Sequence, residues 1–393
     1  MTGAEIKNSL ILASIFATRM LGLFMVLPIL PLYVDKIPGA TLPLLGLAVG
    51  VYGFTQALLQ LPIGFLSDYC NRKWVIGGGL LVFAFGSMIA AYSDSIWGLI
   101  VGRAVQGAGA IGSPVLALVG DVTREQVRTR AMALIGISIG LTFVLAILLG
   151  PLLESITGLS GIFTITAVMA TFGIALLFFL KTEAFSQKPA AFGEQLRCLF
   201  KPRDLWALNA NIFVLHAMFT ASFLVLPIKI QEITFLFSNQ VWKFYLPVLG
   251  LSLLLVIPAL RYADEPHWQS KLMKIAMVGL GLSILAFLFV WQLSTLVMAV
   301  TLFFVAFNFL EASLPALVSR IAPVASKGAA MGVYSCSQFL GIFSGGVLGG
   351  YLLQIGGHWA IGVGCLLLSA IGWLMLNRIG YLMTPRSELS TQT

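Results

Sequence analysis

Four ionisable side chains stand deep inside apolar runs of this chain, where such residues are rarely tolerated. Arg19 lies some ten residues into the first run and Arg103 about eight into the fourth, hence roughly 12–15 Å deep at 1.5 Å per helical residue. His216 falls near the middle of the seventh run and Glu311 near the middle of the tenth. A charge at that depth costs about 2.5–3.5 kcal/mol on insertion scales, so each needs a reason to be there. Glu311 reads as the only acid deep in a run, and a carboxyl in a low-dielectric cavity can take and release a proton near neutrality. It is therefore the expected proton carrier. Arg103 cannot deprotonate; it would favour ionisation of a nearby carboxylate or fix an anionic group by a bidentate contact. Arg19 would do likewise, or serve as the structural partner of Glu311. His216 titrates in the right range to join Glu311 and Arg103 in proton coupling, although a lone histidine on an apolar face also serves as a packing residue. Asn209, Asn211, Asn308 and Gln338 fit either polar cavity contacts or interhelical hydrogen bonds.

Lipid is the solvent these runs require. Of 393 residues, 59% are hydrophobic and 10% charged, with a mean hydropathy of +0.98, whereas soluble domains carry roughly a quarter charged residues. The first run is too long for a signal-peptide core and lacks a small-residue cleavage site, so it reads as an uncleaved helix. The net charge of +8 has a local explanation. Lys and Arg cluster in alternate connections, at Arg72-Lys73, Arg124 to Arg130, Lys181 to Arg203, Arg261 to Lys274, Arg320 to Lys327 and Arg378 to Arg386. That positive-inside pattern puts both termini in the cytoplasm and removes nucleic acid as a partner. Cys70, Cys198, Cys336 and Cys365 form no CxxC pair. His216, His267 and His358 have no ligand spacing, so no metal or cofactor is expected. With no convergent catalytic set and no Walker A sequence, neither an enzyme nor an ATP-driven pump is indicated.

The runs that must position these groups number twelve, in two sets of six. They fall at about 9–34, 43–66, 74–92, 95–120, 130–153 and 159–180, then at about 205–228, 238–260, 272–291, 295–319, 329–354 and 358–379. The expected architecture is an all-α membrane protein with two pseudo-symmetric six-helix bundles at 1–180 and 205–380. A cytoplasmic linker at 181–204 joins them and a tail at 381–393 follows; residues 192–200 have the apolar spacing of a short interfacial helix. The bundles are copies of one another. At a lag of about 199 positions Phe24, Val26, Leu27, Pro28 and Ile29 meet Phe223, Val225, Leu226, Pro227 and Ile228, while Ala131-Met132 meets Ala330-Met331 and Gly150 meets Gly349. Duplicated apolar halves are how many transporters build a substrate site at the bilayer midplane, between units that rock. Pro28 and Pro227 would kink the first and seventh helices alike.

Three short patterns carry a family resemblance. Gly64-Phe-Leu66-Ser-Asp68-Tyr69-Cys-Asn71-Arg72-Lys73 resembles motif A of the major facilitator superfamily, with Tyr69 and Asn71 where arginine and glycine are usual. Arg103-Ala-Val-Gln106-Gly107-Ala-Gly109 resembles motif B. Gly136, Gly140, Gly150 and Pro151 resemble the antiporter motif C, although Leu152-Leu153 replaces the glycines expected after the proline. More narrowly, the segments Arg19 to Pro28, Phe307 to Pro315 and Met331 to Gly341 are similar to the YajR-like branch of the drug/proton antiporter group. Members of that branch carry a soluble domain after the last helix, and this chain stops before one would begin.

The resemblance implies the major facilitator fold and a central cavity lined by helices one, four, seven and ten, which are the helices bearing Arg19, Arg103, His216 and Glu311. It also implies that Asp68 bridges the halves in the outward-facing state, meeting the small residues Gly328 to Gly332. Asp68 ends a helix whose last carbonyls repel it and so needs a partner. Arg72 and Arg130 are placed to pair with Asp121 in the same cluster. The expected protein is a proton-coupled secondary transporter in a bacterial inner membrane. It would work as a monomer on a small molecule by alternating access, with drug-efflux antiport as the group's default. Two buried arginines against one acid also suit a carboxylate-bearing metabolite, a sugar acid or a siderophore, moved in either direction. A transporter-like membrane sensor is the remote alternative.

Overall fold

The computed structural model describes residues 1–180, 203–237, 240–263, 266–322 and 327–379. Most of the expected linker at 181–204, its helix at 192–200 and the tail at 381–393 lie outside them. The described residues form helices without strands. The chain divides into two compact units, Met1–Ala190 with Phe237–Trp242, and Ala191–Leu236 with Lys243–Thr393.

The first unit holds α1 (Gly3–Val26), α2 (Leu42–Tyr69), α3 (Arg72–Ala91), α4 (Ile96–Ala108), α5 (Gly112–Asp121) and α6 (Glu125–Leu177). The second holds α7 (Arg203–Phe223), α8 (Leu226–Thr234), α9 (Trp242–Tyr262), α10 (Pro266–Phe289), α11 (Leu293–Ile321) and α12 (Lys327–Leu376). Taking α4 with α5 and α7 with α8, the described residues contain ten helices long and apolar enough to cross a membrane. Two of these, α6 and α12, have 53 and 50 residues, more than twice what a bilayer needs. Both are broken at a glycine in a conformation closed to other residues, Gly158 (φ 68°, ψ −177°) and Gly357 (φ 58°, ψ −149°). Counting each side of those breaks gives twelve crossing segments, and the two glycines are themselves related by the repeat.

Prolines set the other breaks. Pro28 and Pro227 offer no N–H to the carbonyl four residues back. At both places the chain tightens into three-residue bonds instead: Leu27 to Phe24 and Ile29 to Val26 in the first unit, Leu224 to Ala221 and Val225 to Ser222 in the second. The expected symmetric kinks are therefore present as full helix breaks. The continuous run expected at 95–120 is broken between Ala108 and Gly112. Pro114 withholds a bond from Ala110 there, and a Cβ on Gly109 would lie 2.4 Å from the Gly79 carbonyl oxygen.

Packing repeats as well. In the first unit α1 lies along α6, and α3 packs on α4 and α6; in the second α7 lies along α12, and α10 packs on α11 and α12. Helices in lipid gain little from burying apolar surface against each other, so close approach through small residues takes over. Gly341, Gly345 and Gly349 form such a stripe on α12, where an added Cβ would stand 2.3, 2.2 and 3.0 Å from the backbone of Phe213, Ala217 and Ala221. Gly150, the repeat partner of Gly349, meets Met25 at 3.0 Å. Gly136 and Gly140 differ: a Cβ on either would touch nothing within 4 Å. The antiporter-like pattern is thus tightly packed at Gly150 alone among these three glycines.

Gly345→Ala should lower stability by about 2–3 kcal/mol through overpacking, whereas Gly136→Ala should leave it unchanged. Melting of the detergent-solubilised variants checks this; equal melting of the two would show that the stripe is not the contact holding α7 to α12.

Candidate functional site

In the first unit two hydrogen-bonded chains of buried polar groups meet at the Tyr52 ring. A four-residue spacing places Tyr52, Gln56 and Gln60 on one face of α2. Arg19 of α1 meets that face. Its Nη2 donates to the Tyr52 hydroxyl at 2.6 Å and to Gln56 Oε1. Gln56 Nε2 in turn donates to Gln60 Oε1 at 2.7 Å. Arg103 of α4 approaches from the other side, its Nε donating to the Ala48 carbonyl at 3.3 Å and its Nη1 to Gln106 Oε1 at 3.0 Å. Gln106 Nε2 donates to Ser87 Oγ at 2.7 Å, and Ser87 donates to the Phe83 carbonyl at 2.8 Å. Glycines make these approaches possible. A Cβ on Gly107 would stand 2.3 Å from the Tyr52 carbonyl oxygen, and one on Gly102 would stand 2.6 Å from the Ala90 nitrogen.

Both guanidinium groups use the same aromatic ring. The Arg19 and Arg103 Cζ atoms lie 5.8 and 5.0 Å from the Tyr52 centroid, and Arg19 also lies 5.7 Å from the Phe83 centroid, within cation–π range. Arg19 is fully buried and Arg103 is 1% exposed. Neither pairs with a carboxylate among the described residues, and the Arg19 Nε and Nη1 and Arg103 Nη2 atoms have no hydrogen-bond partner.

The second unit has a smaller cluster built on α7, α11 and α12. Gln338 Nε2 lies 2.9 Å from His216 Nε2 and donates to Glu311 Oε1 at 3.1 Å. His216 Nδ1 is 3.3 Å from the Ile212 carbonyl, which only a ring N–H can satisfy. The ring proton therefore belongs on Nδ1, leaving Nε2 to accept from the amide. Glu311 Oε2 has no hydrogen bond and sits 3.8 Å from His216 Nε2. Phe307 and Phe219 pack against the imidazole at 5.7 and 6.3 Å between centroids. One helical turn before Gln338, the buried Tyr334 hydroxyl also has no partner.

The remaining expected residues divide. Asn211 is buried, but its amide returns to its own helix at the Ala207 carbonyl, 2.8 Å away, and its Oδ1 is unpaired. Asn209 is buried with an unpaired Oδ1, while Asn308 is half-buried and makes no hydrogen bond among the described residues. At the α2–α3 turn Arg72 donates to Asp68 at 2.9 Å and also to Asp121. Arg130, the other partner expected for Asp121, is exposed and makes no ion pair among the described residues. Asn71 takes the place of the usual glycine because it caps α3, its Oδ1 accepting from the Lys73 N–H at 3.0 Å. The Lys73 ammonium reaches the Leu180 carbonyl. Gly64 faces Ser113, 3.0 Å from a built Cβ.

The sequence reading missed several partners. Tyr52, Gln56 and Gln60 were signalled by amides four residues apart in an apolar helix, and Gln106 by its place three residues after Arg103. Among the acids, Glu154 was missed as well. Glu154 of α6 is only 8% exposed and accepts from Tyr33, which follows α1. Burial pushes the Tyr33 hydroxyl above its ordinary pKa, and the neighbouring Glu154 adds to the shift.

The family model described as Major Facilitator Superfamily matches residues 12–310. The chain is 44% identical over 361 residues to the inner membrane transport protein YajR of Escherichia coli K12, covering 90% of this chain and 78% of that protein. It is 27% identical over 371 residues to the multidrug resistance protein MdtH of Aeromonas hydrophila, covering 88% and 91%. A crystal structure of an auto-inhibited POT family peptide transporter superposes with a TM-score of 0.77 at 14% identity, covering 96% of each chain.

Gln56 is one of two side chains reaching the buried Arg19, so Gln56→Leu should destabilise the protein by about 1.5–3 kcal/mol, the range for hydrogen bonds to charged groups. Gln60→Leu, one link further out, should cost less. Unchanged melting of Gln56→Leu would show that Arg19 does not depend on this amide.

Proposed function

Since the chain belongs to the major facilitator superfamily, and is a multi-pass membrane transporter rather than an enzyme, we propose that it is a proton-coupled secondary transporter. It moves a small molecule across the bacterial inner membrane by alternating access, with both termini in the cytoplasm, and works as a monomer. Efflux by antiport is the direction we infer, in keeping with relatives named as a multidrug resistance protein and a probable sugar efflux transporter.

The observation that carries the coupling is the His216–Gln338–Glu311 cluster. Glu311 is a half-buried carboxyl whose surroundings change with its protonation. As a carboxylate it accepts from Gln338 and faces the lone pair of a neutral imidazole. As an acid its own proton can be donated to His216 Nε2, in place of an uncompensated negative charge. Either form is locally satisfied, which is what a carrier needs at both ends of its cycle. Arg103 belongs to a different cluster in this conformation, and we assign it to the cargo.

The α2–α3 turn supplies the latch in this reading. Asp68 and Asp121 share Arg72, with side chains 40% and 36% exposed. Pairs this wet are worth about 1 kcal/mol or less each, weak enough to open in every cycle.

The test uses proteoliposomes holding the full chain, with ethidium and radiolabelled benzoate as probes. Wild type should accumulate at least one of them under an imposed pH gradient. Glu311→Gln should lose that accumulation yet keep probe exchange at equal pH. Undiminished pH-driven accumulation in Glu311→Gln would remove the carboxyl from the coupling step.

A further inference from the structure

A buried cation without a counter-charge is among the least stable arrangements a protein interior can hold. The first unit contains two, each within cation–π range of the Tyr52 ring. Among the described residues every acceptor that reaches them is neutral: the Tyr52 phenol and Gln56 amide for Arg19, the Ala48 carbonyl and Gln106 amide for Arg103. Such groups orient a guanidinium but cancel none of its charge. Their own orientations are fixed from behind, Gln56 by Gln60 and Gln106 by Ser87. The unused N–H groups on Arg19 Nε and Nη1 and on Arg103 Nη2 therefore point in preset directions. The acid buried in this unit's α6, Glu154, is taken by Tyr33. By contrast Arg72, whose side chain is 10% exposed, and the exposed Arg124 do have acids, Asp68 with Asp121 for one and Glu5 for the other. Bound water would satisfy the spare N–H groups and still leave two charges standing. Neither arginine can escape by losing its proton.

We propose that Arg19 and Arg103 form an anion site that receives the carboxylate headgroup of the transported molecule. The inference names the cargo class of the transport reading and rests on it. Planar guanidinium forks match carboxylate geometry, and their weak hydration suits a site that must lose its water. Besides the two amides, the rings of Tyr52 and Phe83, both fully buried, lie against them. That environment selects an anion with an apolar body over a strongly hydrated one. Both arginines are closed to solvent here, so loading and release require the site to open, as alternating access provides. A small inorganic anion offers the same charge to the same N–H groups, and the experiment separates it from an organic carboxylate.

Binding is measured at equilibrium by calorimetry on the full chain in nanodiscs at constant ionic strength. Benzoate, chloride and benzamide are the probes, with tetraphenylphosphonium as the cationic control. Benzoate should bind, and benzamide, the same ring without the charge, should bind about tenfold or more weakly. Arg19→Gln and Arg103→Gln should each weaken benzoate by about tenfold or more, with Arg103→Lys retaining part of the affinity. Should Arg19→Gln fail to fold, as judged by size-exclusion chromatography, the Arg103 pair and the benzamide comparison still decide. Chloride binding with the same arginine dependence and no benzoate binding would overturn the carboxylate assignment. Equal binding of benzoate and benzamide, full benzoate affinity in Arg103→Gln, or binding of tetraphenylphosphonium alone would overturn the site. No pH gradient enters this measurement, so its failure leaves the Glu311 coupling to be judged by flux, and the converse holds.

Discussion

A charge placed in a dry helical bundle must be met by something, and the rest of this structure follows from how each unit meets it. The solvent that would do so in water is missing, and the helices that carry the charge have already spent their backbone groups internally. Side chains are what is left. The first unit meets Arg19 and Arg103 with neutral acceptors held in line by further amides and hydroxyls. The second meets Glu311 with a single glutamine amide that it shares with a histidine. In the first case the charge is permanent and stays unbalanced; in the second it can be removed by a proton. That difference in chemistry, rather than any difference in fold, separates what the two units can do.

Bringing such groups together inside lipid needs close helix contacts that leave no room for side chains elsewhere. Glycine supplies them. Gly102 and Gly107 on α4 let the Arg103 turn lie against α2 and α3, and the stripe from Gly341 to Gly349 seats Gln338's helix on the one that carries His216. The same duplication that copied the breaks at Pro28 and Pro227, and at Gly158 and Gly357, copied the helix pairing without copying most of these glycines or the polar residues they serve. His216 has no histidine at the matching place in the first unit, and Arg103 has no arginine in the second. An inherited scaffold with diverged cargo chemistry is the outcome.

Much of this was legible in the sequence, for physical reasons that differ by element. The helices were visible because a membrane-spanning helix must be apolar over its whole length, and the repeat because its prolines and glycines are tied to backbone geometry. The deep ionisable groups were visible because each is expensive. Their partners were harder to see. Tyr52, Gln56 and Gln60 match helical spacing but look like ordinary polar insertions until Arg19 is set beside them. Asp121 offered two arginines, and only the fold chooses Arg72 over Arg130, whose side chain points into solvent. Glu154 escaped because it sits just past an apolar run, where an acid normally faces water, yet Tyr33 and the break at Gly158 fold over that end. The gap between α4 and α5 escaped because Pro114 is tolerated in lipid-embedded helices, and only the contact at Gly109 makes it a break.

Gln338 is the residue through which protonation of Glu311 would be felt. Its amide has two N–H groups, and both are in use, one on an imidazole nitrogen and one on a carboxylate. A proton arriving on Glu311 Oε2 leaves Oε1 to accept from the amide and places a new O–H near His216 Nε2. That O–H can replace the amide as donor to the His216 lone pair, while the amide keeps its bond to Oε1. Gln338 lies on α12, directly before the glycine stripe that packs against α7. In the proposed cycle a proton on Glu311 would therefore act on α12 through the Gln338 amide, whose helix has no room to spare against α7 from Gly341 onward.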